Sequence, residues 1–284
     1  MAQTSFTNWF EEAFGDEGTK FGLAVRECLH EEQSAFQKLQ IFATETFGNL
    51  LVLDGCVMLT TRDNFIYHEM LTHPALFLHP KPSRVVVVGG GDCGALLEVL
   101  KHPDVTSAVQ VEIDERVTRL SEQYFPELCT INNDHRAEFV FDDAAAWIQA
   151  QPDESIDVLI IDSTDPVGPA EQLFGPQFLA QAFRTLSNDG IIVQQSESPL
   201  LHHNTIMHDL RSKLSTAGFK NPRPMLFPQP VYPTGWWSAT IATKAVQPHI
   251  FREQVYAHRA FQTRYYNRDI HYACFATPEF MQTF

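Results

Sequence analysis

The stretch Arg84-Val85-Val86-Val87-Val88-Gly89-Gly90-Gly91-Asp92-Cys93-Gly94 decides the fold of this chain. Its valines predict a buried parallel strand. The glycines that follow satisfy the pattern G-x-G-x-x-G at Gly89, Gly91 and Gly94, and Ala95 to Lys101 continues as a helix with one apolar face. A strand, a glycine loop and a helix in this order predict an α/β domain that binds a nucleoside-containing cofactor.

An acidic residue ends the next predicted strand. The run from Ala108 to Val111 leads into Glu112, which lies eighteen residues after Gly94. In nucleotide-binding α/β domains an acid at this place hydrogen-bonds the ribose hydroxyls, so we expect Glu112 to bind a ribose. The alternative is a solvated acid at a strand end.

Asp92 narrows the choice of cofactor because its carboxylate stands inside the glycine loop. It would repel a pyrophosphate, or the carboxylate of intact S-adenosylmethionine. Like charges a few ångströms apart at a partly buried site cost on the order of several kcal/mol. A ligand with an amine and no carboxylate fits better. Decarboxylated S-adenosylmethionine is such a molecule, and we expect it as a co-substrate, with no tightly bound cofactor.

A second acidic segment, Asp162-Ser163-Thr164-Asp165-Pro166-Val167-Gly168-Pro169, follows the apolar run from Ile156 to Ile161. The run predicts a buried strand, and Pro166 favours a loop after it. Ligands of open α/β sheets bind outside the carboxyl ends of the strands. We therefore expect Asp162 and Asp165 to lie in the same cleft as the glycine loop. Two carboxylates there suit a cationic substrate, or a reaction that needs a base.

The remaining pattern divides the chain into a small N-terminal antiparallel β-domain (1–78) and a Rossmann-like, methyltransferase-type, doubly wound sheet domain (79–284). The N-terminal extended runs are Phe21–Leu29, Lys38–Thr44, Asn49–Leu53 and Cys56–Thr60, followed by a helix from Ile66 to Phe77. Later strands end near Gly89, Glu112, Asp142, Asp162 and Gln195, and Trp236–Thr243 is a further strand. Helices are predicted at Cys93–Lys101, Glu115–Tyr124, Ala144–Ala150, Pro176–Leu186, Thr205–Ala217 and Pro248–Ala260.

Composition excludes several classes of function. With 20 basic and 35 acidic residues the net charge is −15, which disfavours nucleic-acid binding. No apolar run approaches the ~20 residues of a membrane span. Met1–Phe14 lacks the basic and apolar regions of a signal peptide. Five scattered cysteines predict reduced thiols. These features predict a cytoplasmic protein.

Several segments together resemble the polyamine aminopropyltransferase family, and within it the bacterial spermidine synthases. They are Gly89-Gly90-Gly91-Asp92, Val111-Glu112-Ile113-Asp114, Asp142-Asp143-Ala144, Asp162-Ser163-Thr164-Asp165-Pro166 and Gln195-Ser196-Glu197-Ser198-Pro199, with Phe65–Met70 upstream and Thr263–Asn267 near the end. Their order and spacing over nearly the whole chain are more specific than any one motif.

The resemblance implies transfer of an aminopropyl group from decarboxylated S-adenosylmethionine to putrescine, with release of 5'-methylthioadenosine, by a homodimer or homotetramer. Asp162 would act as the general base on the attacking amine. The co-substrate would contact Gln37, Gly89, Gly91, Asp92, Glu112, Asp143, Ala144 and Pro169. The acceptor amine would contact Tyr67, His68, Asp92, Asp162, Ser163, Thr164, Asp165, Glu197, Tyr232 and Trp236. Val167 to Gly175 would close over both as a lid.

Alternatives remain open for some of these residues. Asp143 also fits a helix N-cap, Glu197 a rim acid, and Tyr67 and His68 plain packing. The family usually has glycine where Cys93 stands, and a positive φ there would cost cysteine on the order of 1 kcal/mol.

The same pattern leaves other functions open. The acceptor could be agmatine, cadaverine or spermidine, or the protein a non-catalytic polyamine or nucleoside sensor. A methyltransferase or a dehydrogenase fits less well. We predict no metal site, since His68 and His73 are five residues apart and would lie on different faces of a helix.

Overall fold

The N-terminal part of the chain folds into a five-stranded antiparallel sheet in the order β1-β2-β3-β4-β5. The computed structural model describes residues 8–14, 17–164, 168–245 and 250–282, with the backbone alone at 168 and 169. The strands are β1 (Trp9–Phe14), β2 (Thr19–Gln33), β3 (Lys38–Thr44), β4 (Asn49–Leu53) and β5 (Cys56–Thr60). The long strand β2 pairs with β1 through its first half and with β3 through its second.

A single helix, α1 (Asn64–Leu78), connects this sheet to the rest of the chain. Nearly all of its side chains are buried, including Met70, Leu71 and Phe77, because α1 packs between the second sheet and the C-terminal segment. Polar side chains are buried with them, and Glu69 among these accepts from the backbone N–H groups of residues 264–266. The sequence predicted this helix from Ile66 to Phe77, and the structure extends it by two residues at the start and one at the end.

The second sheet has seven strands in the order β11-β12-β10-β9-β6-β7-β8. They are β6 (Arg84–Gly89), β7 (Ser107–Glu112), β8 (Ala137–Phe141), β9 (Ile156–Asp162), β10 (Leu186–Gln195), β11 (Lys220–Pro228) and β12 (Trp236–Thr243). Strands β6 to β10 are parallel, and β12 and β11 are antiparallel. The predicted Rossmann-like, methyltransferase-type sheet domain is confirmed.

Helices surround this sheet on both faces, as a doubly wound fold requires. They are α2 (Gly94–Leu100), α3 (Glu115–Tyr124), α4 (Ala144–Ala150), α5 (Pro176–Thr185), α6 (Pro199–His202), α7 (Ile206–Ala217), α8 (Glu253–Ala257) and α9 (Arg268–Ala273). Shorter 3₁₀ segments span Gly168–Phe174, Pro233–Gly235 and Glu279–Met281. Among the described residues, no helix is both long and apolar enough to cross a membrane.

Several elements differ from the sequence-based expectation, among them β1, α6 and α9, which were not predicted. The predicted helix Pro248–Ala260 is wrong in extent: residues 246–249 lie outside the described part, and the helix covers only Glu253–Ala257. Strand β11 was not predicted because Pro222, Pro224 and Pro228 make it look like a loop. It lies at the edge of the sheet, where a strand tolerates residues that cannot donate hydrogen bonds.

The two sheets meet through an apolar contact with α3. Leu39, Ile41 and Leu51 of the first sheet pack against Val117 and Leu120 of α3 in one buried cluster. This contact brings the first sheet to the carboxyl ends of β6 and β7. The chain also changes direction there, because β7 and β8 extend the sheet on one side of β6 while β9 lies on the other. Ligand sites form at such switch points in open α/β sheets.

Candidate active site

A cavity of about 370 Å³ opens at this switch point, between the carboxyl ends of the parallel strands and the first sheet. It lies within the volume range of sites that hold small molecules. Its lining from the first sheet and α1 consists of Phe36, Gln37, Leu51, Leu53, Asp54, Cys56, Met58, Tyr67 and His68. The second sheet and its loops contribute Val88, Gly89, Gly90, Gly91, Asp92, Val111, Glu112, Ile113, Val117, Ala144, Asp162, Ser163, Thr164, Ala170, Gln172, Leu173 and Tyr232.

The glycine loop closes tightly against the end of β9. Gly89 has a φ of +76°, and a Cβ there would lie 2.3 Å from the carbonyl oxygen of Asp162. The Gly90 N–H donates to the same oxygen over 2.8 Å. A Cβ at Gly91 would lie 2.9 Å from Glu112 Oε2. Glycine is therefore required for the loop to bring Asp92 next to Asp162 and Glu112.

Four polar side chains converge at the centre of the cavity. The Tyr67 hydroxyl donates to Asp162 Oδ1 over 2.7 Å, and His68 Nε2 lies 3.1 Å from Asp92 Oδ1. The Gly94 N–H donates to Asp92 Oδ1 over 2.6 Å. Asp162 Oδ2 is buried and has no hydrogen-bond partner among the described residues. An acceptor without a donor in such a place is available to a ligand's N–H group.

The protonation states of this group follow from burial and charge. Burial raises the pKa of Asp162 to about 7, and the nearby Asp92 carboxylate adds to the rise. Burial acts the same way on Asp92, but the His68 cation outweighs it and holds the pKa of Asp92 below its ordinary value. Burial would lower the pKa of His68, yet the Asp92 carboxylate raises it above normal. Burial and then Asp162 raise the pKa of Tyr67, so its hydroxyl stays a donor.

Glu112 lies beside this centre, at the end of β7. It is 8% exposed, its Oε1 accepts from the Asp114 N–H over 2.9 Å, and burial raises its pKa to about 7. Asp114 in turn caps α3 through the Arg116 N–H and accepts from Ser34 and Gln37 of the first sheet, at 2.7 and 3.1 Å. The β2–β3 turn is thereby fixed over Glu112. No local pattern predicts the contact between Asp114 and Ser34, because these residues are eighty positions apart.

Asp143 caps α4, as one of its two interpretations predicted. Its Oδ1 accepts from the Ala146 N–H over 2.9 Å, and its Oδ2 accepts from Gln172 over 2.8 Å. Gln172 belongs to the 3₁₀ segment Gly168–Phe174, which lies over the cavity and contributes Ala170 and Leu173 to its lining. Ala144 faces the cavity directly.

A smaller cavity of about 40 Å³ adjoins the first and shares several of its residues. Its lining consists of Glu12, Cys56, Val57, Met58, Tyr67, Ser163, Thr164, Gln195, Tyr232, Pro233 and Trp237. Glu12 is 9% exposed and accepts from the Val57 N–H over 2.9 Å. A carboxylate closed in among aromatic rings suits an ammonium group. Glu12 was not among the residues predicted from the sequence, although it alternates with the exposed Glu11 in the short strand β1.

Comparisons with known proteins identify the family. A family model described as "Spermine/spermidine synthase domain" matches residues 64–254. A second model, described as "Spermidine synthase tetramerisation domain", matches residues 8–61. The chain belongs to the spermine/spermidine synthase family. Polyamine aminopropyltransferase of Alkalilimnicola ehrlichii is 57% identical over 273 residues, which are 96% of each chain. That of Halorhodospira halophila is 54% identical over 96% of this chain and 99% of its own.

Solved structures of family members share the fold. A spermidine synthase in complex with the transition-state analogue AdoDATO superposes with a TM-score of 0.92 at 33% identity, covering 98% of this chain and 94% of that one. Spermidine synthase from Thermotoga maritima gives a TM-score of 0.90, also at 33% identity and with the same coverage. The predicted resemblance to the family is confirmed.

Not every residue that the resemblance suggested lines the two cavities. Trp236 packs against Phe280 at 6.1 Å between ring centroids, and its neighbour Trp237 lines the smaller cavity instead, because successive side chains of a strand point to opposite faces. The lining of neither cavity includes the buried Glu197, whose carbonyl oxygen accepts from Ser238 over 2.7 Å. Asp165 and the side chain of Pro169 lie outside the described residues.

Cys93 stands in the glycine loop, at the position where the resemblance to the family implies a glycine. Its φ is 70°, in the left-handed region, and it precedes α2 as the N-cap residue. This conformation costs a non-glycine residue on the order of 1 kcal/mol. The thiol is fully buried and accepts from Asn132 Nδ2 over 3.6 Å. The condition under which cysteine is costly at this position, a positive φ, is therefore met.

Three side chains could in principle ligate a metal. One nitrogen or oxygen atom from each of His68, Asp92 and Asp162 lies within 4.8 Å of the others. His68 and Asp92 are already paired with each other, and Asp162 with Tyr67. The absence of a metal stays a prediction.

Proposed function

We propose that this chain is a spermidine synthase, which transfers the aminopropyl group of decarboxylated S-adenosylmethionine to putrescine and releases 5'-methylthioadenosine. The observation that carries the proposal is the pair of carboxylates, Asp92 and Asp162, that face one cavity from two adjoining strand ends. A binding site for a sulfonium cation and two amines needs such negative charge. Membership of the family supports the same reaction.

The nucleoside of the co-substrate fits the side of the cavity formed by Glu112, Gln37 and Ala144. One carboxylate oxygen of Glu112 accepts from the Asp114 N–H, and the other oxygen is proposed to accept from the ribose hydroxyls. Asp92 is proposed to bind the aminopropyl amine. A carboxylate at that place disfavours intact S-adenosylmethionine, since the two negative charges would lie in a site of low dielectric constant.

The reaction is an in-line displacement at the propyl carbon next to sulfur. The amine nitrogen of the acceptor forms a bond to that carbon, the carbon–sulfur bond breaks, and the sulfonium becomes a neutral thioether. Asp162 accepts the proton that the amine must lose, and the Tyr67 hydroxyl holds the carboxylate in place. Most of the acceleration comes from alignment of the two substrates in a closed site.

The acceptor is proposed to extend from Asp162 into the smaller cavity. Tyr232 and Trp237 form aromatic walls suited to a methylene chain, and Glu12 lies at the N-terminal sheet's side of that cavity. An ammonium group bound by Glu12 would select a diamine over a monoamine. Asp165 and Glu197 stay predictions as further partners of the amine.

Assembly and location are part of the proposal. The N-terminal sheet is proposed to form a homodimer or homotetramer, which is supported by the exposed Trp9 and Phe36, at 53% and 46%, and by its match to a tetramerisation domain. A net charge of −15 and the reduced cysteines favour the cytoplasm, with no nucleic-acid or membrane partner.

Product analysis by mass spectrometry tests the reaction. The purified protein is given putrescine with either decarboxylated or intact S-adenosylmethionine. We expect spermidine and methylthioadenosine from the decarboxylated co-substrate alone. A methylated amine from the intact compound would show a methyltransferase instead. Turnover with agmatine, cadaverine or spermidine in place of putrescine would correct the acceptor, and binding of methylthioadenosine without any turnover would favour a sensor.

The pH profile of kcat/KM should report Asp162. Its pKa is raised to about 7 by burial and Asp92, and the protonated form cannot accept a proton, so kcat/KM should fall as the pH drops through about 7. A bound sulfonium favours the carboxylate, which moves the inflection in kcat to lower pH. Glu112 also has a pKa of about 7, so the profile is repeated in Glu112→Gln. Loss of the inflection in that variant would assign it to Glu112.

Replacing Glu12 by glutamine should raise KM for putrescine roughly 10-fold or more, because a buried ammonium loses a charged partner. KM for decarboxylated S-adenosylmethionine should not change. The matched control is Glu11→Gln, on the same strand, where the carboxylate is exposed and pairs with Lys20 over 2.9 Å. Butylamine, which lacks the second amine, should be equally poor for both variants and the parent. An unchanged KM for putrescine in Glu12→Gln would remove Glu12 from the acceptor site.

A further inference from the structure

Two thiols lie next to each other behind the cofactor loop. Cys93 follows Asp92 directly, and Cys129 lies in the turn after α3, where its thiol donates to the carbonyl oxygen of Asp92 over 3.9 Å. Cys93 donates to the carbonyl oxygen of Gly91 over 3.7 Å. Asn132, three residues after Cys129 in the same turn, donates to the Cys93 thiol over 3.6 Å. The turn that carries Cys129 therefore packs directly against Cys93, and the neighbouring Cys129 thiol, and then burial, raise the pKa of Cys93.

The two cysteines differ in access to solvent. Cys93 is 0% exposed, whereas Cys129 is partly exposed. Cys93 also occupies a left-handed conformation that glycine would adopt without cost, so the chain holds a thiol here at some expense. A partly exposed thiol beside a buried one allows the first to react with an oxidant and the second to resolve the product.

We propose that Cys93 and Cys129 form a site of reversible oxidation, in which a peroxide converts the two thiols into a disulfide beside Asp92. The Cys129 sulfur attacks the peroxide, a sulfur–oxygen bond forms, the oxygen–oxygen bond breaks and one water leaves. The Cys93 sulfur then displaces the oxygen from Cys129 as a second water, and the sulfur–sulfur bond forms. Two thiols lose two electrons and two protons, and one peroxide is reduced to two waters.

The disulfide would change the co-substrate site. It brings the sulfur atoms to about 2.05 Å, closer than any hydrogen-bonded pair of thiols, and it removes the donor from the Asp92 carbonyl. Because Cys93 lies between Asp92 and Gly94, the loop must shift with it. We expect the linked protein to lose roughly 10-fold or more in aminopropyl transfer. This loss rests on the proposed function, whereas formation of the disulfide does not.

Peptide mapping of the full-length reduced protein tests the site. The protein is titrated with hydrogen peroxide, free thiols are blocked with N-ethylmaleimide, and the tryptic peptides are analysed. Peptides 85–101 and 120–136 contain Cys93 and Cys129 as their single cysteines. We expect these two peptides to be linked, activity to fall in step with the linked fraction, and dithiothreitol to reverse both. The affinity of the linked protein for methylthioadenosine, measured by calorimetry, should fall if the loop shifts. This measurement does not depend on turnover.

Matched variants separate this pair from the other thiols. Cys129→Ala should form no link and keep its activity at the same peroxide dose. Cys28→Ala, which removes the exposed thiol of β2, should behave like the parent protein. Oxidation of Cys28 without any link between peptides 85–101 and 120–136 would overturn the site. Equal inactivation of Cys129→Ala and the parent by peroxide would overturn the proposal that the disulfide controls co-substrate binding. A fully linked protein with unchanged activity and unchanged affinity for methylthioadenosine would overturn it as well.

Discussion

Asp162→Asn should lower kcat by roughly 10²-fold or more while affinity for methylthioadenosine changes little. The amide cannot accept the proton of the attacking amine, and it still fills the same volume beside Gly90 and Tyr67. Steady-state kinetics with saturating putrescine and co-substrate give kcat, and calorimetry gives the affinity for methylthioadenosine. The matched control is Asp189→Asn, an exposed acid on β10, which should leave both values unchanged.

The outcome distinguishes a base from a purely electrostatic residue. If Asp162 only attracts cations, its amide variant would raise KM for both substrates and leave kcat within a few-fold of the parent. A variant with near-normal kcat would thus remove Asp162 from the role of base. Tyr67→Phe sharpens the result, since it removes the 2.7 Å hydrogen bond to Asp162 and keeps the carboxylate. It should reduce kcat by less than Asp162→Asn does.

Asp92→Asn should weaken binding of decarboxylated S-adenosylmethionine by roughly 10²-fold, because an ammonium loses its charged partner in a buried site. Methylthioadenosine lacks the amine and should lose far less. Competition calorimetry with both ligands measures the difference directly. Equal weakening of the two ligands would mean that Asp92 supports the loop, through the Gly94 N–H and His68, and does not bind the amine.

The same variant tests why the intact co-substrate is excluded. Removing the Asp92 charge removes its repulsion of the methionine carboxylate, so Asp92→Asn should bind intact S-adenosylmethionine better than the parent does. A variant that still rejects the intact compound would place the discrimination in the shape of the cavity. The buried carboxylate of Glu98 is not expected to take over the role of Asp92 in this variant. It is already paired with Lys101 at 2.6 Å and with His73 at 3.1 Å.

The sequence predicted the parts of the site that depend on local pattern. The valine strand, the glycine loop and Glu112 follow one another within a single β-α-β unit, so their relative positions are set by that unit's geometry. Asp162 was predicted because a parallel strand brings its carboxyl end to the same edge of the sheet. The helix cap at Asp143 and the positive φ at Cys93 are likewise decided within a few residues.

Contacts between distant segments could not be predicted in this way. Glu12 reaches the smaller cavity through the pairing of β1 with β2 and the docking of the first sheet on α3, neither of which leaves a local signal. The choice between Trp236 and Trp237 depends on which face of β12 looks toward the cavity, and one residue of register decides it. The proline-rich β11 forms because β12 offers it an edge to pair with, against its own propensity.

The buried carboxyls that line the cavity have a consequence for the stability of the protein. Folding raises the pKa of Asp162 from 3.8 to about 7 and that of Glu112 from 4.5 to about 7. Between these values the folded chain holds protons that the unfolded chain releases, so the free energy of unfolding falls as the pH rises through that window. A cation bound beside the ionised carboxylates stabilises the folded chain and so raises the free energy of unfolding again. At neutral and alkaline pH the protein without ligand is therefore less stable than the protein with a cationic ligand bound. Its resistance to unfolding then depends on the fraction of molecules that have ligand bound.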